Sequence, residues 1–170
     1  MSSSAPTPWP GPRRRLGPLT AIGGVEPALA IADVASRHVR LTAASVTRHL
    51  GETALDVVPW DDVAGLALHL PTTRWPHPLL PEHLLPILVG VLGGGAPASE
   101  SPPLSVEIAT AEGVRSWALE SHYTAGYRRG DAQRAVRLLD HLTSTPSSRA
   151  LLSHPLELLS RLSAIARGGG

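Results

Sequence analysis

Apolar and polar residues alternate with period two through residues 37–58, and short polar turns interrupt the pattern. Val39 and Leu41 share one side of the first segment, residues 43–45 form a turn, and residues 46–50 and 54–58 continue the alternation. Alternation of this kind about short turns is typical of antiparallel strands. The first part of the chain is therefore predicted to form a β-meander.

The pattern continues after Trp60, where Leu66, Leu68 and Leu70 fall on one face of an extended segment. Residues 104–110 and 114–119 alternate in the same way on either side of a short turn. They predict a second β-hairpin.

Two regions near the C-terminus have helical periodicity. A capping helix is predicted over residues 131–143, with Asp131 as the N-cap. Its apolar stripe consists of Ala132, Ala135, Val136, Leu139 and Leu142. An extra helical region over residues 148–167 is broken at Pro155. Its apolar side consists of Leu158, Leu159, Leu162, Ile165 and Ala166.

Three segments depart from these patterns. Residues 1–20 are rich in Pro, Ser and Arg and are predicted to be a disordered tail ahead of a single domain, residues 21–167. Residues 28–35 fit an edge strand or a short helix, and the strand is favoured. Residues 71–103 form a Pro- and Gly-rich insertion that contains an apolar helix, and long insertions often hold interaction sites.

The amino-acid composition argues against several classes of function. The chain of 170 residues has no Cys, which excludes disulfides, thiolate metal sites and Cys nucleophiles. A net charge of +1 argues against nucleic-acid binding. All 15 basic residues are Arg, as is common in GC-rich, actinobacterial-type genomes. The apolar stretch after Arg13–Arg15 is too interrupted for an export signal, so a cytoplasmic protein is expected.

Candidate catalytic groups have simpler structural explanations. Catalytic carboxylate pairs converge at about 5–10 Å, whereas adjacent residues such as Asp61 and Asp62 diverge in a strand and are common at a corner. His77 and His83 lack a third metal ligand at a known spacing. The sequence has no Ser-nucleophile motif and no phosphate-binding loop. No catalytic residue, metal or cofactor is therefore predicted.

Two segments contain candidate interaction residues. The insertion presents Arg and Trp side chains, which are frequent in protein interfaces, together with an apolar surplus. The segment before the capping helix presents tyrosines and arginines near a helix N-terminus, where an anion is favoured. The candidate residues are Arg74, Trp75, Leu84, Leu88, Tyr123, Tyr127, Arg128 and Arg129.

The runs V-x-L-T and V-P-W-D-D-V, within Val39 to Val63, together with VRSWALE and DAQRAVRLLDHL, resemble a bacterial pleckstrin-homology-like (PH-like) domain. The resemblance covers residues 37–142. It implies an α+β fold: an antiparallel, partly open β-barrel closed by a C-terminal amphipathic helix, here with a helical insertion and an extra C-terminal helix. Members of this family bind phosphoinositides, peptides or proteins, and catalysis is not their usual role. The first hairpin loop, Ala43–Ser45, lacks the basic residues that lipid-binding members use.

The expected function is a non-enzymatic protein–protein interaction or scaffolding module. Its partner is an unidentified protein, with a second copy of the chain as one candidate, and the insertion or the C-terminal helices form the contact. One alternative is a peripheral membrane or anionic-ligand module that depends on Arg128 and Arg129. The other is a small enzyme that gathers His69, Asp61 and His122 in one pocket.

Overall fold

A computed structural model of the protein describes residues 13–70, 104–122 and 126–168. These residues form nine strands and two α-helices, with two 3-10 segments. The strands are β1 (Arg13–Leu16), β2 (Leu19–Ile22), β3 (Ala28–Ile31), β4 (Arg37–Leu41), β5 (Ser45–Leu50), β6 (Thr53–Pro59), β7 (Gly65–His69), β8 (Ser105–Thr110) and β9 (Gly113–Ala118). The helices are α1 (Arg129–Ser144) and α2 (Pro155–Gly168), and the 3-10 segments are Trp60–Asp62 and Pro146–Ser153.

The first six strands form one antiparallel sheet in sequence order. The meander predicted over residues 37–58 is β4, β5 and β6, with a register shift between Arg48 and His49. Residues 28–31 are a strand, as the sequence favoured, but the strand pairs with both β2 and β4 and is therefore not the predicted edge strand. Residue Val39 and its strand neighbours Ile31 and Leu41 are fully buried, so one face of this sheet lies on the core.

The prediction of a disordered tail is wrong for residues 13–20. A hairpin, β1 and β2, begins this sheet, and Leu16 pairs with Leu19 across a two-residue turn. Gly17 has φ +55° at the first turn position, which only glycine adopts without strain. Leu19 is fully buried, and this burial offsets the ordering of a segment that looks polar in the sequence. Residues 1–12 lie outside the described residues.

Strands β7, β8 and β9 form the second antiparallel sheet. Its predicted faces are confirmed: Leu66, Leu68, Val106 and Ile108 are buried. Together with Trp117 they share one hydrophobic core with the first sheet.

Backbone hydrogen bonds join the chain that follows β9 to the first sheet. The Glu120 N–H donates to the Arg37 carbonyl at 3.0 Å, and the Asp33 N–H donates to the Glu120 carbonyl at 2.9 Å. At the other side, the Arg115 guanidinium of β9 pairs with Asp56 of β6 at 3.2 Å. The two sheets are thus tied at both sides of the shared core.

Helix α1 packs against β7, and α2 packs against β1 and β2. The predicted stripe of α1 is confirmed, since Ala132, Ala135, Leu139 and Leu142 are buried and Val136 packs against the core. The prediction that Asp131 caps this helix is wrong. The N-cap is Arg128. Asp131 lies in the first turn, where its carboxylate accepts a hydrogen bond from Arg134 at 2.7 Å.

The extra C-terminal region is a 3-10 segment followed by α2, which begins at Pro155, where a missing backbone N–H costs nothing. On the predicted apolar side of this region, Leu158 and Leu159 are buried and Ile165 is exposed.

The α+β class with antiparallel strands and C-terminal helices is confirmed. The described strands form two sheets of six and three strands, and they do not form a closed barrel. Strands β6 and β9 end their respective sheets, and the contact between them that the structure shows is the side-chain pair Asp56–Arg115. The insertion, residues 71–103, lies outside the described residues.

Candidate interaction surface

Five of the eight predicted site residues lie outside the described residues. They are Arg74, Trp75, Leu84, Leu88 and Tyr123. The other three, Tyr127, Arg128 and Arg129, lie at the start of α1. Tyr127 is buried, whereas the two arginines are exposed.

Tyr127 is part of the core rather than of a binding surface. Its ring is buried, and its hydroxyl oxygen accepts a hydrogen bond from the His122 backbone N–H at 3.2 Å. The same hydroxyl lies 3.2 Å from His122 Nδ1. Burial lowers the pKa of His122, and the nearby Arg15 lowers it further. This contact joins His122, after β9, to Tyr127, which precedes α1.

Arg128 and Arg129 are exposed at the N-terminal end of α1. The β1–β2 turn reaches this end, because a Cβ placed on Gly17 would lie 2.6 Å from Asp131 Cβ. Strand β1, with exposed Arg13, Arg14 and Arg15, leads into this turn, so Arg15 is the one of the three nearest this end of the molecule. This basic end carries a predicted site residue pair together with an arginine that the sequence had assigned to a tail.

The exposed apolar side chains concentrate elsewhere. Of the six large apolar residues that are exposed in the described part of the chain, three lie on the β5–β6 hairpin. These are Leu50, Leu55 and Val57, each about half exposed at 51%, 50% and 54%. We call the two that lie on β6, Leu55 and Val57, the β6 patch.

Strand β6 is an end strand of the six-stranded sheet, as is β1, but the two edges differ in charge. Edge strands are usually protected from pairing with other chains by charged side chains. Strand β1 carries Arg13, Arg14 and Arg15, whereas the charged residue of β6, Asp56, pairs with Arg115 of β9. The side chains of Asp56 and Arg115 stay 36% and 39% exposed in this pair, so β6 carries one paired charge between the apolar Leu55 and Val57, whereas β1 carries three arginines.

The sequence reasoning missed the β6 patch although a signal was present. Residues 53–59, TALDVVP, place apolar side chains on both faces of the strand. A strand with one solvent-facing side normally alternates apolar and polar residues. Val58 enters the core, which leaves Leu55 and Val57 exposed.

The groups considered for an active site lie in separate surroundings. Asp61 and Asp62 are exposed in the 3-10 corner between β6 and β7, as the corner interpretation predicted. His69 Nε2 pairs with Glu107 at 3.2 Å across β7 and β8, while His122 contacts Tyr127. Each of the three side chains of the predicted enzyme pocket thus has different surroundings.

No group of three or more His, Asp or Glu side chains in the described ranges is placed to hold a metal ion. His77 and His83 lie outside those ranges. Among the described helices, none is long and apolar enough to cross a membrane.

Comparison with protein-family models, with curated proteins and with solved structures gave no match.

Proposed function

We propose that the protein is a non-enzymatic interaction module whose contact surface includes the β6 patch. The observation that carries this proposal is the apolar edge strand, on which Leu55 and Val57 are about half exposed at 50% and 54%. Exposed apolar groups of this kind mark interaction sites when they cluster. An end strand also offers unpaired backbone groups, to which an extended segment of a partner can add.

The finer assignment to the PH-like family belongs to the same proposal. It is supported by two antiparallel sheets over one core and by a C-terminal amphipathic helix packed on β7. The expected use of such a domain is recognition of a peptide or a protein, with a second copy of the chain as one candidate. The insertion over residues 71–103, favoured from the sequence as the contact, is a further candidate region for the same role.

The double variant Leu55→Gln/Val57→Thr tests the β6 patch. It replaces two apolar side chains with polar ones of similar size, and Thr keeps the strand preference of Val. We expect it to lose at least tenfold of the partner protein captured from the native cell, because burial of two such side chains contributes about 2–3 kcal/mol to binding. The measurement is quantitative mass spectrometry of proteins captured on the purified chain.

The matched control is Val25→Thr, which makes the same change at a side chain that is 98% exposed in the β2–β3 connection. Urea unfolding of the wild type and the two variants is the test that each variant retains the fold. Capture that is equal for the wild type and the folded double variant would reject the β6 patch as the contact surface.

A second function is favoured by the basic end of the molecule. Arg128 and Arg129 are exposed there, and the β1–β2 turn brings Arg15 toward them. Such a surface fits anionic headgroups at a membrane surface, where each arginine contributes about 1 kcal/mol.

For this second function we expect binding to vesicles that contain phosphatidylserine. Arg128→Ala/Arg129→Ala should weaken it about 10- to 30-fold, since two contributions of about 1 kcal/mol are lost. Arg161→Ala, at an exposed arginine of α2 paired with Glu157, is the control and should leave binding unchanged. Sedimentation with vesicles measures both, and an absence of wild-type binding at low salt would rule this function out.

A further inference from the structure

Two histidines face each other in the middle of the six-stranded sheet. His38 of β4 and His49 of β5 are directly opposed, and their rings stack with centroids 5.2 Å apart. They are 0% and 8% exposed. They lie on the face away from the core residues Val39 and Val46, since side chains alternate along each strand.

The hydrogen bonds of His38 require its neutral form. Its Nδ1–H donates to the Ser36 carbonyl at 3.1 Å, and its Nε2 accepts from Arg40 Nε at 3.0 Å. Arg40 is held in place by Glu52, whose carboxylate accepts a hydrogen bond at 2.9 Å. Protonation of Nε2 would remove the acceptor for Arg40 and place two cations in contact.

The surroundings of His49 also oppose a charge. Its Nδ1 is buried and has no hydrogen-bond partner within the described structure. Burial, and then the positive charge of Arg40, lowers the pKa of His49 to about 4. Burial, with Arg40 again contributing, lowers the pKa of His38.

The charged groups that face the two rings come from three elements. Arg40 on β4 opposes protonation of both, while Glu52 in the β5–β6 turn favours it. Asp33, after β3, favours protonation of His38. The residue opposite His49 on β6 is Ala54, which carries no charge. Burial and Arg40 therefore outweigh the two carboxylates.

We propose that the stacked pair His38 and His49 makes the β5–β6 hairpin an acid-sensitive element, which separates from β4 when an imidazole takes up a proton. A charged His38 ring would lie at hydrogen-bond distance from the Arg40 cation while stacked on His49, and this repulsion weakens the β4–β5 contact. The core face of the same sheet and the sheet β7–β9 contain no part of this cluster. The proposed opening of this hairpin in acid requires no partner protein, so it goes beyond the proposed binding function.

The direction of the pH dependence follows from the lowered pKa values. An opened hairpin returns His49 to the ordinary pKa of 6.5, so the opened state binds more protons than the closed state between pH 6.5 and about 4. The closed hairpin keeps its full stability above pH 6.5 and loses it as the pH falls through this window. At pH 4.5 the opening equilibrium should rise roughly 10- to 100-fold over its value at pH 7.5.

Hydrogen exchange of the full chain, followed by mass spectrometry at pH 7.5 and pH 4.5, tests the proposal. After correction for the intrinsic exchange rate, we expect protection of β5 and β6 to fall at pH 4.5 by this factor. Protection of β8 should change much less. His49→Phe keeps a ring that stacks on His38 but takes up no proton, and it should flatten the pH dependence.

His49→Gln is a second variant in case the phenyl ring does not fit, and His154→Gln, at an exposed histidine, should behave as the wild type. Three results would overturn the proposal. They are unchanged protection of the wild type, an equal loss in β8 and β5, and an unaltered pH dependence in a folded His49 variant.

Discussion

Trp60→Ala should lower the free energy of unfolding by about 3–5 kcal/mol, which is the largest effect expected of any single substitution considered. Trp60 is 3% exposed at the corner between β6 and β7, where the chain passes from one sheet to the other. Its indole contacts both the β4–β5 turn and the second 3-10 segment. Removal of the ring would leave a cavity at the junction of the two sheets.

Two polar contacts add to the burial of Trp60. Its Nε1–H donates to the Thr42 carbonyl at 2.7 Å, and the Arg149 guanidinium lies 4.8 Å from the ring centroid. The indole thus connects the β4–β5 turn and the second 3-10 segment to the corner. Trp60→Ala leaves the Thr42 carbonyl without the indole N–H donor, which costs about 1–3 kcal/mol if the carbonyl stays buried.

Urea unfolding of Trp60→Ala and Trp60→Phe separates these contributions. Trp60→Phe keeps most of the apolar volume and loses the N–H donor, so a loss of about 1–2 kcal/mol is expected. An alanine variant that loses less than 1 kcal/mol would show that the corner does not join the sheets.

Gly17→Ala should lower the free energy of unfolding by about 2–4 kcal/mol, although the change adds a single methyl group. The residue has φ +55°, and a Cβ there would lie 2.6 Å from Asp131 Cβ. Backbone strain alone accounts for about 1–2 kcal/mol. The remainder comes from displacement of α1 away from the β1–β2 turn.

Gly51 provides a matched control for this substitution. It has the same φ of +55°, but the nearest atom to its added Cβ, the Ala35 carbonyl oxygen, is 3.7 Å away. Gly51→Ala should therefore show the backbone strain without the steric overlap. Equal destabilisation of the two variants in thermal or urea unfolding would contradict the close approach of the turn to α1.

The elements that the sequence predicted well are those whose burial is decided by local periodicity. Leu66 and Leu68 in β7 and the apolar stripe of α1 lie on the predicted faces because each element has one side on the core. Element type followed from the period, two for the strands and 3.6 for α1. Local turn chemistry then placed the hairpins.

The hairpin β1–β2 could not be predicted from hydrophobic periodicity. An end strand with the sequence RRRL shows no apolar alternation, since its three arginines are exposed and Arg14 donates a hydrogen bond to Ser160 Oγ of α2 at 2.8 Å. That partner is 146 residues away along the chain. Only the folded chain reveals that this segment completes a sheet.

The candidate surface was predicted less well, for a related reason. Whether an apolar residue is buried depends on what packs over its face, and Leu55 and Val57 look like core residues in the sequence. Tyr127, by contrast, looked like a binding residue and is buried in the core. Strand spacing predicts which residues share a face, whereas the tertiary packing decides which faces remain exposed.

The β6 patch is proposed to contact another protein. The most direct test places a photo-activatable benzoylphenylalanine at position 57 or at position 25 of the chain in its native cell. Val57 and Val25 are both exposed apolar sites, at 54% and 98%, but only Val57 belongs to the β6 patch. A covalent adduct of discrete mass from position 57 and none from position 25 is the predicted result. No adduct from position 57, or the same adducts from both positions, would contradict the claim.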